Sequence, residues 1–236
     1  MNNFFIYLLS LLLGMTEGGI YGPVNHDMPM LQQKNDIRLD FDLNCVGATA
    51  SAAYAFSNHW GVQGSFQGMD FPIRARYGGQ LSAGWFTPLN TNNIFEVYAG
   101  ASIGHGKRGQ VNDEYEALYQ SYFVQADYGW CGLANSHIDV ALGVKGGYLY
   151  GNVEHSVVLN NPETDESMFV EYPYTHSAPF IEPTVLFRFG WEHLKFNLNA
   201  SMTFSRNNKG ASITNPEPRV GVGLNYYFNT KDHRNE

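Results

Sequence analysis

From residue 36 onward the chain alternates large apolar residues with small or polar ones, in runs of roughly eight to thirteen residues broken by Gly, Asn and Pro. A repeat of two sends successive side chains to opposite faces of a strand, and a helical repeat of 3.6 is missing. The clearest runs set Ile37, Leu39, Phe41 and Leu43 against Arg38, Asp40 and Asp42, and set Leu194, Phe196, Leu198, Ala200, Met202 and Phe204 against Lys195 to Ser205. Similar runs occur near 49–56, 60–67, 77–86, 94–104, 119–130, 137–149, 178–190 and 218–228. The expected structure is all-β with about ten strands, eight being the alternative count.

The connections alternate in length. Residues 57–59, 88–93, 131–136 and 191–192 read as short turns, whereas 68–76, 105–118, 151–177 and 206–217 read as long loops. Long and short connections therefore gather at opposite ends of an up-and-down sheet, an asymmetry of membrane barrels. A soluble barrel also alternates, so the occupants of the polar face decide between the two. Water-facing strands carry many Lys and Glu. Here that face holds Gly61, Gln63, Ser65 and Gln67, or Gly221, Gly223 and Asn225, and charged residues make up only 15% of the chain. Small polar residues suit a crowded lumen, and the apolar face then meets lipid. Trp60, Trp85, Phe86, Tyr128, Trp130, Trp191, Tyr226 and Phe228 fall near strand ends, where interfacial girdles belong. The expected fold is a closed antiparallel up-and-down transmembrane β-barrel over 36–228, with a tail at 229–236.

Other classes are excluded. No apolar run approaches the roughly 20 residues that a transmembrane helix needs. The net charge of −8, with scattered Lys and Arg, gives no footprint for nucleic acid. Residues 4–13, FFIYLLSLLL, followed by Thr16 and Gly18, read as a signal peptide over 1–18, although the n-region lacks Lys and Arg. Residues 19–35 are then expected as a periplasmic N-terminal segment, with both termini periplasmic. Cys45 is expected at one end of the sheet and Cys131 at the other, too far apart to bond.

The stretch Tyr21-Gly22-Pro23 through Pro29-Met30-Leu31, then Lys34-Asn35-Asp36, together with Glu182-Pro183 and Arg188-x-Gly190, resembles a family of Bacteroidota outer-membrane barrel proteins, many of whose members are described as lipoproteins. The likeness covers most of the chain but departs at Met15, where a lipidated relative has Cys. It implies an outer-membrane location without an agreed function. Tyr226-Tyr227-Phe228 is similar to the aromatic end by which such barrels are recognised for assembly, here followed by further residues. Implied partners are outer-membrane lipid, lipopolysaccharide and the barrel assembly machinery.

If apolar residues face lipid, parity turns Asp139, Lys145, Glu182 and Arg188 inward. In an antiparallel pair the sum of opposed residue numbers is constant, and one register opposes Asp139 to Arg188 and Lys145 to Glu182. Two ion pairs are expected there, a structural charge network obstructing the lumen. Arg38, Asp40, Asp42, Glu96, Asp127, Lys195 and Arg219 share that parity, so the lumen is nearly neutral, which disfavours an ion-selective pore.

Candidate catalytic groups near the long connections are His105, Asp113, Glu114, His155, Ser156, Asp165, Glu166, His176 and Ser177. No His has Ser two positions later, the pattern of a lipid A deacylase, and no Asp pair with an Asp-His pair suggests a rim protease. His and Cys lack metal-site spacing, and no Gly-rich loop joins a strand to a helix, so neither metal nor cofactor is implied. The sequence points to a non-enzymatic barrel with a filled lumen, acting structurally or in surface recognition through its long loops. The alternatives are a narrow porin-like channel for small solutes and a lipid-modifying enzyme.

Overall fold

In the computed structural model, described for residues 24–44, 47–71, 74–110, 113–160, 167–205 and 217–229, the alternating runs become ten strands. They are β1 Asp36–Asn44, β2 Gly47–Ala55, β3 Trp60–Phe71, β4 Arg74–Pro88, β5 Asn93–Gln110, β6 Asp113–Gly132, β7 Ile138–Asn160, β8 Ser167–Gly190, β9 Leu194–Ser205 and β10 Glu217–Asn229. Each pairs antiparallel with its neighbours in sequence, and β1 pairs with β10 from Asp36↔Asn229 to Asn44↔Gly221, which closes the barrel. Closure satisfies the backbone groups that an open sheet leaves at its edges, the condition for strands to cross lipid.

The barrel is inside out. In β1, Asp36, Arg38, Asp40 and Asp42 are buried, whereas Leu39, Phe41 and Leu43 are 43%, 50% and 54% exposed. In this strand the polar parity faces a packed lumen and the apolar parity faces outward, an exposed band that lipid would cover. Outward residues stay apolar along β8 from Phe189 back to Pro179, matching the roughly 9–11 residues that span a bilayer at a tilt. Beyond that level they turn polar: His105 and Lys107 on β5, Glu116 and Glu114 on β6, Asn152 and Glu154 on β7. Trp60, Trp85 and Trp191 stand exposed near the short-turn end.

Short turns are built as local side chains dictate. The Ser57 hydroxyl accepts the His59 and Trp60 amides at 3.2 and 2.9 Å, and the Asn90 side chain accepts those of Asn92 and Asn93. Gly190, at φ 148°, reverses the chain between β8 and β9. A single helical turn, Leu133–Ser136, links β6 to β7.

The other end departs from expectation. Residues 105–118 and 151–177, expected as long loops, are mostly strand: β5–β6 pairing runs to Gln110↔Asp113 and β7–β8 pairing to Asn160↔Ser167. At about 3.3 Å per residue, the 23 residues of β7 extend about 75 Å, far more than a bilayer requires. Alternation fades there because both faces meet polar surroundings, while the backbone ladder continues. The barrel thus carries a tall wall, β5–β8, at the end opposite the short turns.

Candidate functional site: a lumen closed by the chain's own N-terminal segment

Of the N-terminal segment expected over 19–35, residues 24–31 lie inside the barrel. Just before β1 the chain reverses at Gln33–Asn35, where the Asp36 carboxylate accepts the Gln32 and Gln33 amides at 2.8 and 3.0 Å and Asn35 adopts φ 70°. Preceding residues run from the short-turn end into the lumen, and Val24, Asn25, His26, Met28, Met30 and Leu31 are buried there. Irregular backbone deprived of water must find partners. The wall supplies them: Glu96 accepts the Met30 and Leu31 amides at 2.9 Å each, Gln125 donates to the Asp27 carbonyl at 3.0 Å, Gln80 to Asn25 at 3.0 Å, and Lys145 to Val24 at 2.9 Å. Glycines make room. A Cβ on Gly129 would stand 2.6 Å from Met30 Sδ, and one on Gly143 would stand 2.7 Å from both His26 and Met28.

The filling is layered. Toward the short turns Met28, Met30 and Leu31 pack with Phe86, Ile94, Cys131, Ala141 and Leu186. Toward the tall wall a second apolar layer joins Tyr119, Phe123, Leu149, Val153 and Phe180. Charges lie between and around these layers.

The β7–β8 register opposes Asp139 to Arg188 and Lys145 to Glu182. Of the two ion pairs expected from it, Lys145–Glu182 forms at 3.6 Å. The Asp139–Arg188 contact does not, because both side chains find better partners across the curved lumen. Arg188 reaches Asp40 on β1 at 3.2 Å, and Asp139 takes Lys195 on β9 at 2.7 Å. Glu182 also receives Arg219 at 2.6 Å and the Thr203 hydroxyl at 3.0 Å, so one carboxylate serves two cations. Asp40 is further held by Asn197 and Asn225. Asp127 receives His26 from the inserted segment at 2.7 Å.

Sequence parity missed Asp36 and Arg76, both buried inward. Their signal was present: Asp36 precedes the Arg38–Asp40 alternation, and Arg76 stands in step with Gln80. The inserted segment itself has no periodicity to betray it.

The candidate catalytic groups fall into separate contacts. His105–Glu116 and Lys107–Glu114 pair on the outward face of the tall wall, at 2.8 and 2.7 Å. Asp113–His155 forms on its inward face at 2.8 Å. The Ser177 hydroxyl contacts Tyr148 at 3.2 Å, and His176 is buried. Asp165 and Glu166 lie outside the described residues, as do the expected signal peptide, Cys45 and residues 230–236 of the expected C-terminal tail, whose first residue, Asn229, instead ends β10. Cys131 is a buried free thiol, 3.7 Å from Met30 Sδ. Among the described residues no three His, Cys, Asp or Glu side chains gather closely enough to share a metal ion.

No protein-family model and no curated protein matches the chain. Among solved structures it is similar to the KdgM porin at 16% identity and a TM-score of 0.33, covering 82% of this chain and 99% of that one. It is also similar to the N-terminal β-barrel domain of Pseudomonas aeruginosa OprF at 10% identity and 0.31, covering 84% and 100%. Ail, the attachment invasion locus protein of Yersinia pestis, matches at 16% and 0.31, covering 83% and 100%. With scores this low, the fold assignment rests on the chain's own closed ladder and inside-out burial.

Proposed function

We propose that the chain is an outer-membrane barrel closed by its own N-terminal segment, with a structural or surface-recognition role through the tall β5–β8 wall rather than a transport role. The observation that carries this reading is the main chain of residues 24–31 hydrogen-bonded across the lumen to Gln80, Glu96, Gln125 and Lys145. Four wall side chains matched to successive backbone groups describe a seated element. An aqueous pore instead keeps its lumen open, and an ion-selective one lines it with an excess of one sign of charge. The outward apolar band, bounded by aromatics and by the switch to polar residues, supports the membrane setting. Placement in the Bacteroidota barrel family belongs to the same proposal.

Conductance in planar bilayers, paired with gel mobility before and after boiling, tests it. The folded full chain is expected to give a flat trace, and a folded variant lacking residues 24–34 is expected to conduct. Steady openings from the folded full chain would replace this reading with the narrow channel.

A further inference from the structure

In an antiparallel ladder, directly opposed residues send their side chains to the same face. Following the register across the tall wall joins Arg74 on β4 to Arg108 on β5, Arg108 to Tyr115 on β6, Tyr115 to His155 on β7, and His155 to Tyr172 on β8. All five share the parity of the buried Ala117, Val153 and His176, so they line the concave, inward side of the wall. None is buried, and Tyr172 is 51% exposed. Strands far apart in sequence thus assemble one lateral row of two guanidiniums and three rings, with Arg76 in the next row down.

Two features set this row apart from an ordinary polar rim. Most acids of the β5–β6 hairpin face away from it: Glu114 and Glu116 point outward, where Lys107 and His105 take them at 2.7 and 2.8 Å, and the inward-facing Asp113 is held by His155. The arginines point inward, in a chain whose net charge is −8. The rings are also set in advance. Tyr115 and His155 stack at 4.0 Å and 6°, Asp113 anchors His155 at 2.8 Å, and Tyr172 lies 6.0 Å further on. Tyrosine rings offer contact area at low entropic cost, and guanidiniums form paired hydrogen bonds to carboxylate or phosphate. Tyr and Arg also dominate binding hot spots.

We propose that this row binds a sugar chain bearing carboxylate or phosphate groups, its ring faces on Tyr115, His155 and Tyr172 and its anions on Arg74 and Arg108. The inference rests on the closed-lumen reading to the extent that the tall wall faces outward and the lumen beneath is filled by Val24, Tyr119 and Phe180. The row therefore captures its ligand without passing it inward. Such a chain can come from the phosphorylated core of surrounding lipopolysaccharide or from a free acidic polysaccharide.

The test is binding of the detergent-solubilised full chain to an array pairing neutral oligosaccharides with uronate-bearing and phosphorylated counterparts of equal length, lipopolysaccharide core fragments included. Acidic members are expected to be held at least tenfold more tightly than their neutral partners. Arg74→Ala/Arg108→Ala and Tyr172→Ala should each remove that preference while keeping the heat-sensitive gel mobility of the folded barrel. Arg74→Lys/Arg108→Lys should keep part of it. Core fragments bound best would name the barrel's own membrane as source; uronate chains bound best would name a free polysaccharide. Equal retention of neutral and acidic members, or full binding by the folded double-alanine variant, would overturn the proposal. The conductance traces stand apart from either outcome, so a failure here leaves the closed-lumen reading to its own test.

Discussion

Glu96, buried on the lumen side of β5, accepts the amide of Leu31 from the inserted segment at 2.9 Å, with the Met30 amide on its other oxygen at the same distance. One wall carboxylate thus satisfies two successive main-chain donors that have no secondary structure to serve them. The segment is seated backbone first, and its side chains then pack into spaces left by Gly129 and Gly143.

Replacing Glu96 with Ala strands both amides, at a cost of about 1–3 kcal/mol each. Hydrogen exchange at Met30 and Leu31 should then accelerate by at least tenfold while the barrel ladder stays protected. Glu96→Gln keeps one acceptor oxygen and should fall between. Unchanged protection in the alanine variant would mean that the segment is held by packing alone.

Glu182 neutralises Lys145 and Arg219 together, at 3.6 and 2.6 Å in a fully buried setting. Removing a buried partner leaves charge uncompensated, so Glu182→Gln should lose about 3 kcal/mol in urea unfolding from lipid vesicles, followed by Trp fluorescence. Adding Arg219→Gln should restore part of the loss, because one stranded cation is removed with it. A more severe loss in the double variant would place the main role of Arg219 outside this pair.

Much of the barrel is legible in the sequence because lipid enforces a period of two. Leu39, Phe41 and Leu43 had to share a face, and with the faces known the β7–β8 register followed from Asp139, Lys145, Glu182 and Arg188. Lateral neighbours were therefore readable, but contacts across the lumen were not. Nothing local tells Arg188 that curvature brings Asp40 closer than the opposed Asp139. Val24–Leu31 escaped notice for a related reason: a segment whose partners all lie on distant strands needs no periodicity of its own. The Arg74–Tyr172 row was hidden as well, since above the membrane alternation weakens and 105–118 and 151–177 resemble loops.

The most direct test of the central claim uses the native thiol. Cys131 Sγ lies 3.7 Å from Met30 Sδ, and a cysteine at position 30 would carry its sulfur about one bond from that Sδ position, near enough for a short bifunctional thiol reagent to bridge it to Cys131. In a Cys45→Ser background, Met30→Cys should form this internal cross-link in folded outer-membrane protein, in high yield, and should resist membrane-impermeant maleimide. A residue 30 thiol that alkylates freely and never joins Cys131 would place the segment outside the barrel and remove the basis for a closed lumen.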